Sequence, residues 1–267
     1  MNLFLDIPTS LRYFVIYNKG LLELIIWNKK MIPNLFTENI RTNSYLMKRA
    51  VKKAIVIFFT KHLVALSGLD GTGKSEIGRY LKDLFDSNSK FVEIDMSLNE
   101  FPFSWKIGSI FPNDEKSSNQ PVVLFFDKLH LAHAKMASYL SRSIEKIEDS
   151  NIMVIVSSSR PLESLIAEQI ISNSLYYNLH QFEIRIPSLQ ERGNNEKIFL
   201  ANHFLERICL RENLGKKIFS DDVLHKIFNY GWPGNVTELK STVEKSAIES
   251  ASRIIPIKIF WGQESLK

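Results

Sequence analysis

Cysteine is almost absent from this chain. Cys209 is the single one among 267 residues, which excludes an internal disulfide, and its neighbours Ile208 and Leu210 suggest a buried thiol in a reducing compartment. No run approaches the roughly 18 apolar residues of a membrane span. The longest strongly apolar stretch towards the N-terminus, Ala54–Thr60, has charges close on both sides. The first thirty residues lack a secretory signal's order of basic start, apolar centre and small-residue cleavage site. With 11 glycines and 9 prolines, collagen-like and low-complexity chains are excluded too. These absences imply a cytoplasmic globular protein with no membrane association.

What the chain does have is a lopsided charge. Residues 1–62 hold ten Lys/Arg and three Asp/Glu, leaving 24 basic and 26 acidic side chains for the rest. A basic N-terminal part beside a near-neutral body can meet nucleic acid, an anionic surface or an acidic neighbour. The blander reading is a solvated helix face around Lys48, Arg49, Lys52 and Lys53.

Periodicity gives the organisation. Arg12–Tyr17 and Leu21–Trp27 flank Asn18-Lys19-Gly20 and read as a hairpin. After Pro33 a basic helix is predicted from about Asn43 to Phe58. Short strands are then predicted at Leu63–Leu66, Phe91–Ile94, Val122–Phe126, Ile152–Val156 and Gln181–Ile186. Helices fall between them, at Lys74–Phe85 and over Met136, Leu140, Ile144 and Ile147. Strands alternating with helices argue for a parallel sheet covered on both faces. Beyond Pro187 the pattern is helical. Box-like starts are predicted at Ser188/Glu191 and Asn235/Glu238, with Ser220 as a further cap, and Gly231-Trp232-Pro233-Gly234 reads as a turn. Trp232 is expected to pack the helical part against the sheet.

The chemistry begins at Gly68-Leu69-Asp70-Gly71-Thr72-Gly73-Lys74-Ser75, which fits the phosphate-binding pattern GxxxxGK[ST] without a mismatch. Its glycines let successive N–H groups turn inward onto phosphate oxygens, and the helix that follows adds the positive end of its dipole. Lys74 suits the β- and γ-phosphates, and the Ser75 hydroxyl suits Mg²⁺. The strand Val122–Phe126 then ends in Asp127, a second expected magnesium carboxylate. The next residue, Lys128, only donates hydrogen bonds, so it cannot take a proton from water. His130 and His133 sit three apart without a third ligand and read as an exposed helix face.

The C-terminal half carries a family resemblance. Phe182–Arg192 with its Ile186-Pro187-Ser188-Leu189-Gln190-Glu191-Arg192, then His203-Phe204-Leu205, then Trp232-Pro233-Gly234-Asn235-Val236-Thr237-Glu238-Leu239 closely resemble the AAA+ domain of sigma-54-dependent transcriptional activators. Ser174–Leu179 looks like that family's DLYYRL segment. The resemblance covers about residues 40–250. It implies a P-loop α/β core with a parallel five-stranded sheet at 41–187, a small helical lid at 188–250 and a C-terminal tail at 251–267. An N-terminal appendage with the hairpin occupies 1–40. It also implies ATP and Mg²⁺ as cofactors, and ring assembly with copies of itself or with other activator subunits.

The departures from the family's pattern carry as much weight. The sigma-contacting GAFTGA loop is not spelled anywhere in Leu98–Pro121, which disfavours direct contact with sigma-54 RNA polymerase. Arginines expected near the DLYYRL-like segment fall at Ser172 and Asn178, and the one expected in the WPGNVREL-like segment falls at Thr237. Asp95 and Ser159 stand where asparagines are expected, and Lys128 where a glutamate is. No C-terminal helix-turn-helix is expected, hence no specific DNA binding by this chain. A general base is worth about 10²–10⁴ in rate and an arginine finger about 10³–10⁵. The expectation is an ATP-binding transcription regulator that hydrolyses poorly and acts through protein partners, with no residue assigned to catalysis. An active sigma-54-dependent ATPase is the alternative, and a small P-loop nucleotide kinase a lesser one, since the chain contains no Asp-Arg pair.

Overall fold

The computed structural model describes residues 40–85, 89–98, 121–145, 147 and 152–261; the predicted hairpin and most of Leu98–Pro121 lie outside them. Five strands form one parallel sheet in the order β2-β3-β4-β1-β5. They are β1 (Leu63–Ser67), β2 (Lys90–Asp95), β3 (Val122–Asp127), β4 (Ile152–Ser158) and β5 (Glu183–Arg185). The two central runs, Val-Val-Leu-Phe-Phe-Asp and Ile-Met-Val-Ile-Val-Ser-Ser, are apolar on both sides because helices cover both faces.

Alternate residues divide between two cores. Val64, Leu66, Val123, Phe125, Met153 and Ile155 face α1 (Tyr45–Lys61) and α2 (Lys74–Phe85). Ala65, Leu124, Phe126, Val154 and Val156 face α3 (Ala134–Glu145), α4 (Leu162–Ala167) and α5 (Asn173–His180). A one-residue slip in register would exchange the two sets, so this pattern fixes the pairing. The expected fold class is therefore observed. Helix α1 runs three residues beyond the predicted end and is closed by His62, whose left-handed backbone lets its N–H donate to Phe58 O at 2.9 Å. Helix α3 ends at Glu145, so Ile147 packs from the following turn instead of from the helix.

The remaining elements form a third core. Helices α6 (Asn194–Arg211), α7 (Asp221–Asn229) and α8 (Asn235–Glu249) surround Leu200, Leu205, Ile208, Val223, Ile227, Leu239 and Val243. Cys209 is buried there, as its neighbours suggested. Residues 254–261, expected as part of a tail, pack onto this unit. Strand β7 (Ile254–Ile255) pairs with β6 (Ile218–Phe219), and α9 (Ile257–Trp261) places Trp261 against Tyr230 and Trp232.

Trp232 differs from its expected role. It is 1% exposed inside the helical unit's own core, with Nε1–H donating to Ile227 O at 3.0 Å. Buried indoles need such a partner. Two polar contacts tie the helical unit to the sheet domain instead. The buried Glu196 carboxylate accepts from the Thr42 hydroxyl and from the N–H groups of Asn43 and Ser44, at 2.7 and 3.1 Å. The second contact lies at the phosphate-loop sequence.

Candidate functional site

Gly68–Ser75 connects β1 to α2, so the loop leaves the C-terminal edge of the sheet beside Asp127 and the end of β4. Two glycines are required by geometry. Gly71 has φ 72°, and a Cβ there would meet Gly234 O at 2.2 Å; at Gly68 a Cβ would meet Ile186 O at 2.6 Å. Gly73, at φ 97°, has open space where its side chain would be, which leaves its backbone approachable. The first amides of α2 have no partner within the helix. Beside them stand a lysine and a hydroxyl, a donor set that fits a polyphosphate.

The Lys74 ammonium is folded back onto this loop. It donates to Gly68 O at 2.7 Å, Leu69 O at 3.0 Å and Ser159 Oγ at 3.2 Å. Burial lowers its pKa, against the pull of Asp70 and Asp127. The Ser159 hydroxyl donates in turn to Asp70, so the end of β4 is joined to the loop. Asp127 accepts from the Ser157 hydroxyl and faces the same edge as Ser75, the other expected magnesium ligand.

Lys128 takes a left-handed backbone at φ 61°, and its Nζ donates to Asp95 Oδ2 at 2.6 Å. Asp95 Oδ1 accepts from the Ser97 N–H at 2.9 Å and the Ser97 hydroxyl at 2.5 Å. Partial burial pushes the Asp95 carboxyl up, but the bonds from Lys128 and Ser97 outweigh it and hold the group below the ordinary aspartate value. The hydrogen bond to Asp95 raises Lys128 correspondingly. Two departures noted separately in the sequence are thus one ion pair.

His130 corrects another expectation. It lies in a short 3₁₀ turn, Leu129–Leu131, and its Nδ1 accepts from the Ser159 N–H at 3.2 Å. Burial lowers its pKa, with Asp70 and Lys74 among the charges that act on it. It is a half-buried site neighbour and not part of an exposed helix face. Sequence spacing could not show this, because the contact joins the end of β3 to the end of β4.

The helical unit meets the loop directly. Asn235 Nδ2 donates to Asp70 O at 2.8 Å, and its Oδ1 accepts from Leu189 N–H at 2.9 Å. The N–H groups of Val236 and Thr237 reach Gly71 O at 2.9 and 3.3 Å. Arg192, driven down to about 10 by burial against the pull of Glu196, donates to Thr72 O and Pro187 O. The box predicted at Asn235/Glu238 is displaced by one residue: Glu238 accepts from Gly234 N–H at 2.7 Å, which frees Asn235 for the loop. Ser188/Glu191 does form reciprocal bonds, but around a turn, since α6 starts only after Gly193. Ser172, where an arginine was expected, caps α5 through Leu175 N–H at 3.2 Å.

Residues 42–189, more than half the chain, match the sigma-54 interaction domain, and residues 194–261 match an AAA+ ATPase lid domain. The chain belongs to the sigma-54 interaction domain family. It is similar to the DNA-binding transcriptional activator HyfR of Escherichia coli, at 22% identity over 83% of this chain and 36% of HyfR. Against the transcriptional regulatory protein GlrR of the same species, identity is 25% over 82% of this chain and 54% of GlrR. The chain thus spans between about a third and a half of these relatives. Crystalline NtrX from Brucella abortus in complex with ADP shares the fold, with TM-score 0.66 and 15% identity over 93% of this chain and 59% of NtrX. Among the described residues of this sigma-54 interaction domain, no helix is long and apolar enough to cross a membrane.

Proposed function

We propose that this chain is a nucleotide-binding, hydrolysis-deficient transcription regulator that acts through other AAA+ subunits. The observation that carries it is the Lys128–Asp95 pair at 2.6 Å. Beside the magnesium carboxylate Asp127, the position suited to a proton-accepting side chain holds a cation already engaged by a carboxylate. Gly68–Ser75 would hold the phosphates of ATP, with Lys74 exchanging its loop carbonyls for phosphate oxygens. Ser75 and Asp127 would hold Mg²⁺, which supplies charge neutralisation at the phosphates. The NtrX structures with ADP and with ATP support the choice of nucleotide.

The same reading assigns residues 41–187 to the nucleotide core and the helical unit to a lid that follows loop occupancy. Its partners would be copies of itself or intact activators in the cytoplasm. The test measures steady-state ATP turnover and particle size with and without MgATP. Near-background turnover with nucleotide-dependent assembly is expected. A steady rate near one per second would overturn hydrolysis deficiency, and no nucleotide binding at millimolar concentration would overturn the reading entirely.

A further inference from the structure

The binding reading gives the Lys128 ammonium no contact with nucleotide. Its ammonium sits at an edge crowded with negative charge. Asp95 and Asp127 are register partners at the ends of β2 and β3, and Asp70 lies on the loop. All three carboxylates act on the same ammonium. The side chain is 44% exposed, so it is held by its ion pair and not by packing. Ser97 supplies two hydrogen bonds to Asp95 Oδ1, and the carboxylate is 33% exposed, so water can replace Lys128 at Oδ2.

ATP differs from ADP in the extra negative charge and the acceptor oxygens of its terminal phosphate. A cation that binds that phosphate stabilises ATP selectively, through charge-assisted hydrogen bonds that are stronger than neutral ones. On the proposed reading Lys74 meets the phosphates from the loop side, while Ser172, Asn178 and Thr237 carry no charge. Lys128 directly follows Asp127 and keeps solvent-exposed reach.

We propose that Lys128 leaves Asp95 to bind the terminal phosphate of ATP, so that the chain distinguishes ATP from ADP by binding and without turnover. Asp95 is then the competitor that holds the ammonium while the diphosphate or no nucleotide is bound. This rests on nucleotide occupying Gly68–Ser75.

The test is calorimetric titration of the full chain with ADP and with a non-hydrolysable ATP analogue, each with Mg²⁺. Lys128→Met should reduce the preference for the triphosphate about tenfold, the loss of one charged hydrogen bond, and Lys128→Arg should retain most of it. Asp95→Asn should raise the preference, because the competing carboxylate is gone. If the pair is merely structural, Asp95→Asn and Lys128→Met lower the preference together. That result, or an unchanged preference in Lys128→Met, overturns the proposal while leaving nucleotide binding intact. A wild-type chain that binds neither nucleotide overturns both.

Discussion

At the end of β1, the loop from Gly68 to Ser75 keeps each glycine, lysine and hydroxyl that phosphate binding requires, and the helical unit braces it through Asn235, Val236, Thr237 and Arg192. At the ends of β3 and β2, two and three strands away on the same sheet edge, the side chains have changed character. Asp95 and Lys128 neutralise each other at 2.6 Å, and α5 begins with a serine cap. The first region is held by backbone contacts that a substitution would break. The second is a local exchange of charges that leaves the strands intact. On the proposed function, binding and turnover would depend on different sets of contacts, so one could be altered without the other.

The comparison breaks most sharply at Lys74. Lys74→Ala should weaken nucleotide binding at least about 100-fold, since the loop loses the cation that would meet the phosphates. Equilibrium binding of a fluorescent nucleotide reads this directly.

Restoring the altered region is the complementary test. The double change Lys128→Glu with Asp95→Asn places a free carboxylate beside Asp127. It should raise ATP turnover by about tenfold to 100-fold, toward the low end of what a positioned base supplies. Phosphate release under steady state measures it. Lys128→Glu alone should do less, because two carboxylates would then face each other.

A third change probes the brace. Asn235 has φ 54° and is 2% exposed. Asn235→Ala leaves Leu189 N–H and Asp70 O without their partners and puts a less tolerant residue in the left-handed region. About 2–3 kcal/mol of stability should be lost. Asn235→Gly removes the backbone strain but not the lost bonds, so it should recover a fraction of this in urea unfolding.

The smallest expected effect is on acid sensitivity. Burial lowers His62, His130 and His203 below the ordinary histidine value. In the window below about pH 6.5 and above their folded values, the unfolded chain binds more protons, so stability falls as the pH drops. Thermal melts at pH 7 and pH 5.5 should differ by a few degrees, and His130→Gln should narrow the gap.

The sheet was legible because its strands are short β-branched and aromatic runs between amphipathic helices, and local period alone separates the two. Gly68–Ser75 was legible because a phosphate loop is a contiguous backbone device whose residues are neighbours in sequence. Helix α3 and the Asn235 start were misplaced by small shifts, because a turn residue such as Ile147 can still pack and a neighbouring N–H can donate to the same carboxylate.

What sequence alone determined is therefore the contiguous part: the parallel five-stranded fold, the phosphate loop, and the cationic character of Lys128. Tertiary structure decided everything that joins strand ends far apart in the chain. It paired Lys128 with Asp95, put His130 against Ser159, turned Trp232 into the helical unit and gave Asn235 to the loop. Propensity and spacing act over a few residues. Hydrogen bonds and ion pairs act over a few ångströms, and only the fold brings such distant residues within that range.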